Sequence, residues 1–162
     1  MMGAFDKFLN KVLVFFVFVQ GMGLVILIGI EVLFRYALAN ALSWPEEVAG
    51  ILFTWFTLIG TVLVTRSGEH IEFSSLLERL PPGVNKALGV FNQLIIGAFA
   101  MFMVIYGYNY AMMFTFEKTP AAGINLLWLN FALPVNGLLI LLYALWNILK
   151  IITRGPAEAG NS

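Results

Sequence analysis

Apolar positions along this chain fall into four long runs, separated by short segments that are polar or rich in turn-forming residues. The first run, Val12 to Phe34, is interrupted only by Gln20 and Glu31. About 20 apolar residues are enough to cross a hydrocarbon core of about 30 Å, so the run predicts a transmembrane helix. It is too long for the apolar part of a signal peptide, and it ends in Glu31 and Arg35 where such a peptide would carry a small-residue cleavage site. Those two charges are four residues apart in the order that favours an ion pair on a helix surface. Contact with a partner is the other reading of Arg35.

The second run has both of its ends marked in SWPEEVAGILFTWFTLIGTVLVTRSGEH, Ser43 to His70. Ser43 and Glu46 have the spacing of a capping box, in which each side chain satisfies a backbone N–H of the first helical turn. Pro45 suits that turn because no donor is needed there. No charge occurs from Val48 to Thr65. Arg66 then complements the negative end of the helix dipole, and Gly68 can adopt the left-handed conformation that ends a helix. The next segment, IEFSSLLERLPPG, places Phe73, Leu76, Leu77 and Leu80 on one face and Glu72, Ser75, Glu78 and Arg79 on the other. It is too short to span and predicts an amphipathic interfacial helix over Ile71 to Leu80.

The third run, Val84 to Phe114, would measure about 45 Å as a straight helix, so it must tilt or project beyond the hydrocarbon. TFEKTPAAG reads as a short loop, and Ile124 to Ile152 is the fourth run. The predicted fold is therefore an all-α integral membrane protein. Its single four-helix transmembrane domain covers residues 1–152, and a polar tail covers 153–162. Four spans place both termini on one side. With that side cytoplasmic, Lys7, Lys11, Arg66, Arg79, Lys86, Lys150 and Arg154 lie inside and only Arg35 and Lys118 outside, as the positive-inside rule requires. Trp44 and Trp128 then mark the outer interface and Trp146 the inner one. Glu46 and Glu47 face outward, and His70 faces the cytoplasm.

Composition agrees with this plan and narrows the chemistry. Of 162 residues, 60% are hydrophobic and 11% charged, against about 25% charged in ordinary soluble domains. With 0 cysteines and 1 histidine, thiol catalysis, iron–sulfur ligation and bis-histidine haem ligation within the chain are excluded. A net charge of 0 gives no case for nucleic-acid binding. The sequence shows no metal-ligand cluster, phosphate loop or nucleophile with a matching base, and Glu69, Glu72 and Glu78 around His70 read as a solvated surface. Nothing points to an enzyme, and no cofactor is expected in this chain. The middles of the spans carry no ionisable side chain, whereas a transporter that moves its own charged substrate usually places one near the midplane.

Two faces stand out within the spans. Gly50, Thr54, Thr57 and Thr61 form a stripe of small, weakly polar residues along the second. Gly89, Gln93, Gly97, Ala100, Gly107 and Ala111 form a comparable stripe along the third. Small residues let helices approach closely in lipid. Each stripe is read either as packing among the four helices or as docking onto a different polypeptide, with the bulky apolar faces left to the bilayer.

In order along the chain, these features resemble the small membrane subunit, DctQ-like, of tripartite ATP-independent periplasmic (TRAP) transporters. The residues that carry the resemblance are Arg35 after the first span, the entrance Ser43, Trp44, Glu46 and Glu47, and the turn of Arg66, Gly68, His70 and Ile71. The series Pro120, Gly123, Ile124, Trp128, Pro134 and Gly137 continues it near the last span. The resemblance covers roughly residues 12 to 150. It implies a chain of the bacterial inner membrane that partners a large membrane subunit and a periplasmic substrate-binding protein. Sodium sites and sodium-coupled import of an organic acid would belong to the large subunit, and this chain would widen the scaffold against which that subunit moves. Glu46 and Glu47 are then expected near the surface that receives the binding protein. The alternative is a membrane anchor or assembly subunit of a redox or biosynthetic complex.

Overall fold

A computed structural model describes residues 2–40, 42–67 and 82–154. Gly68, His70, the amphipathic segment 71–80 and the tail beyond Arg154 lie outside the described residues. The architecture is helical: α1 spans Met2–Ala37, α2 Trp44–Ser67, α3 Pro82–Met113, α4 Leu127–Asn130 and α5 Ala132–Arg154. Four segments, Lys7–Ala37, Trp44–Arg66, Gly83–Met113 and Leu127–Thr153, are long and apolar enough to cross a membrane.

Each apolar run gives a helix, and the differences from the sequence reading lie at the ends. The polar start from Met2 joins α1, which at 36 residues is far longer than a hydrocarbon core requires. It stops where Ala39, at φ 49°, turns into the left-handed region and the Asn40 N–H returns to the Phe34 carbonyl at 3.1 Å. The fourth run is divided in two. Pro134 cannot donate to the carbonyl four residues back, so it is accommodated in the first turn of α5, after the Phe131 N–H has closed α4 on Leu127 O at 2.8 Å.

Contacts divide the chain into two units, one of Met1–Gly60 with Tyr108–Ala132 and the other of Thr61–Gly107 with Leu133–Ser162. In the first, α1 runs against α2: a Cβ on Gly21 would lie 3.3 Å from the Phe56 ring, and one on Gly23 would lie 3.9 Å from Leu52.

In the second unit α3 and α5 pack antiparallel at close range. A Cβ on Gly107 would meet Leu133 at 3.1 Å, and one on Gly89 would meet Ile151 at 3.4 Å. Between them Gly137 is closest, with a notional Cβ 2.9 Å from Met103 Cβ and 3.0 Å from Ala100 O. Gln93, Ala100, Met103, Ile140, Tyr143, Ala144 and Asn147 are buried in this unit, together with Val62 and Thr65 of α2. Asn147 Nδ2 donates to Thr65 O at 2.9 Å, and Lys86 Nζ to Ile152 O at 2.8 Å. Both bonds satisfy carbonyls near helix ends, where the helix's own bonding runs out.

Candidate functional site

Among the described residues, the first unit contains an organised polar arrangement outside the spans, a clasp between the start of α2 and the loop of residues 114–126. The loop folds on itself first. Thr119 N–H donates to Ile124 O at 2.8 Å and Gly123 N–H to Thr119 O at 3.0 Å, while Leu126 N–H reaches Glu117 O at 3.0 Å. Gly123, at φ 67°, takes the left-handed turn that this closure needs. Asn125 secures both sides, because its Nδ2 donates to Thr115 O at 2.6 Å and its Oδ1 accepts from Leu127 N–H at 2.8 Å.

This folding aims two consecutive amides at α2. Ala121 N–H donates to Glu47 Oε1 at 2.9 Å, and Ala122 N–H to Oε2 at 2.7 Å. Adjacent backbone donors form a small anion-binding concavity, and a carboxylate filling it makes charge-assisted bonds stronger than neutral ones. Trp55 adds a second tie, its Nε1 donating to Trp128 O at 2.9 Å. These bonds hold the loop in shape and fasten it to α2, so the part they play is positional.

The sequence-predicted residues separate accordingly. Arg35 pairs with Glu31 at 2.7 Å along α1, the local ion pair their spacing predicts. Trp44 opens α2 and is exposed, Pro45 is fully buried, and Arg66 lies in the last turn. The capping box is not formed: Ser43 is exposed, and neither it nor Glu46 makes a side-chain hydrogen bond among the described residues. Glu46 stays exposed one position from Glu47, because a rotation of 100° per residue points the two carboxylates in different directions.

The two small-residue stripes also part. On α3, Gln93, Ala100, Gly107 and Ala111 are buried. On α2, Gly50, Thr57 and Thr61 are exposed and Thr54 is half-buried, and a Cβ on Gly50 would meet nothing within 4 Å. Thr54 and Thr57 donate to the carbonyls four residues back, Gly50 and Phe53, at 2.9 and 2.8 Å, so their hydroxyls are satisfied within the helix.

Sequence reasoning missed the ties of Trp55, Asn125 and Asn147. The Thr-Pro and Gly in 119–123 signal a turn, and an Asn just after it is a familiar turn-stabilising residue. Nothing local marks the partners of Trp55 or Asn147.

A family model described as "Tripartite ATP-independent periplasmic transporters, DctQ component" matches residues 24–154. The sialic acid TRAP transporter small permease protein SiaQ of Vibrio cholerae is 23% identical over 128 residues, covering 77% of this chain and 74% of that protein. The ectoine TRAP transporter small permease protein TeaB of Halomonas elongata is 27% identical over 125 residues, 73% of this chain and 64% of its own length. The sialic acid TRAP transporter permease protein SiaT of Haemophilus influenzae is 26% identical over 111 residues, which are 68% of this chain but only 18% of SiaT.

Proposed function

From the premise that this chain belongs to the DctQ family of TRAP transporter small permease components, we propose that it serves as the fixed membrane scaffold beside a large permease subunit. In this reading the complex imports an organic acid delivered by a periplasmic binding protein, coupled to sodium that binds in the large subunit. The chain is a multi-pass membrane protein. We assign it to the bacterial inner membrane, with both termini cytoplasmic on the count of basic residues.

The observation that carries the proposal is the contrast between the two stripes. The α3 stripe is used up inside the chain, whereas the α2 stripe of Gly50, Thr54, Thr57 and Thr61 faces outward. A small-residue face left outward in a membrane helix suits close approach by another helix. The likeness to part of SiaT supports a permease as the source of that helix, because there a segment similar to this chain belongs to one much longer permease. A scaffold role also fits the described parts of the spans, whose charges, such as the Glu31–Arg35 pair, Arg66 and Lys86, lie toward the helix ends.

The two glutamates divide their work in this reading. Glu47 shapes the loop, and Glu46, exposed beside it, is the contact offered to the periplasmic partner. Co-expression with the neighbouring open reading frames, followed by purification through this chain, tests the assignment. Recovery of the chain without a large polytopic partner overturns it, and a reporter fused to the C-terminus that reads as periplasmic overturns the orientation.

A further inference from the structure

Gln93 of α3 is 5% exposed, and its side-chain carbonyl oxygen, sealed from solvent, meets no donor within the chain. An amide carbonyl taken out of water without a hydrogen bond is costly. What stands opposite it therefore matters.

The register of α3 on α5 identifies the facing residue. A Cβ on Gly107 would meet Leu133, one on Gly97 would meet Ala144, and one on Gly89 would meet Ile151. The close approach of Gly137 to Met103 fits the same antiparallel alignment. One turn on from Gly89 is Gln93, and one turn back from Ile151 is Asn147. Residues four apart share a helix face, so Gln93 and Asn147 stand opposite each other, and both are buried.

Asn147 has a donor to spare. Its Nδ2 gives one hydrogen to Thr65 O at 2.9 Å, and a primary amide carries two. The Gln93 carbonyl nevertheless does not receive the other directly. Helical side chains lean toward the N-terminus of their own helix, so across an antiparallel pair these two amides lean apart. A buried acceptor and a spare donor separated in this way suit a bridging water.

We propose that the α3–α5 interface binds one internal water between Gln93 and Asn147. The water donates to Gln93 Oε1 and accepts the second Nδ2 hydrogen of Asn147, which gives it the pair of polar partners an internal water needs at minimum. Because Asn147 also holds Thr65 O, the bridge joins the last turn of α2 to both α3 and α5. The site lies wholly within the second unit and is independent of the scaffold reading.

The chain has two glutamines, Gln20 and Gln93, so full-length protein isotope-labelled at glutamine in deuterated micelles gives two side-chain amide groups by NMR. Gln93→Met identifies that of Gln93 by removing it. In the unsubstituted protein the Gln93 amide is expected to show a dipolar cross-peak to water, told from proton exchange by its sign in the rotating-frame experiment. The Asn147 side-chain amide, labelled likewise, is expected to show the same peak. Asn147→Leu should abolish the peak at Gln93 while leaving the helical circular dichroism unchanged. No water peak at Gln93, or a peak of exchange sign alone, overturns the site. A peak at Gln93 with none at Asn147, or one that survives Asn147→Leu undiminished, overturns the bridge.

Discussion

The Glu47 carboxylate and the Ala122 backbone N–H meet at 2.7 Å across 75 residues of sequence, so the first turn of α2 and the loop after α3 are one fastened structure. Glu47→Ala removes both acceptor oxygens and leaves two adjacent amides without their anion. Exchange of the Ala121 and Ala122 amide hydrogens should rise by about tenfold or more, with Glu47→Gln in between and Glu46→Gln unchanged. Equal protection in all four proteins would refute the clasp.

Gly137 and Gly50 should respond oppositely to the same change. A methyl group at 137 runs into Met103 Cβ at 2.9 Å and the Ala100 carbonyl at 3.0 Å, so Gly137→Ala should cost about 1–3 kcal/mol through overpacking. Gly50→Ala meets nothing within 4 Å and should be neutral, or stabilising by up to about 1 kcal/mol from helix propensity. Unfolding in detergent compares them directly. Gly50→Leu should leave the isolated chain folded while reducing co-purification of the large permease; undiminished recovery would remove the α2 stripe from the interface.

Two backbone positions with positive φ make a complementary pair. Ala39, at φ 49°, occupies a conformation that costs a residue with a Cβ about 1–2 kcal/mol. Ala39→Gly should raise the unfolding midpoint. Gly123, at φ 67°, already carries the suitable residue, and Gly123→Ala should lower the midpoint and loosen the loop whose amides Glu47 binds.

Asn147 offers a test of polar ties inside the bundle. Its amide donates to Thr65 O at 2.9 Å from a buried position. Bonds of this kind in membrane proteins average about 0.6 kcal/mol, so Asn147→Leu should destabilise modestly. Asn147→Asp, when ionised, has no donor for the Thr65 carbonyl and buries a charge, and should destabilise more. Chemical denaturation in one detergent ranks the two.

The spans, their order and their uncharged interiors were legible in the sequence for a physical reason. A segment in lipid must satisfy its own backbone and present about 20 apolar residues, and both demands are local. The Glu31–Arg35 pair was legible on the same ground, since one helical turn brings the partners together. Three matters needed the tertiary structure. Glu46 and Glu47 are the same residue type in the same turn, and only the loop folded over one of them decides which is a clasp. The stripes on α2 and α3 have similar composition, and only the approach of Gly137 and its neighbours decides that the α3 stripe is consumed within the chain. The α2 stripe, which sequence alone left open between internal packing and a partner, is on the outside because Ile59, Val62 and Thr65 supply that helix's buried side.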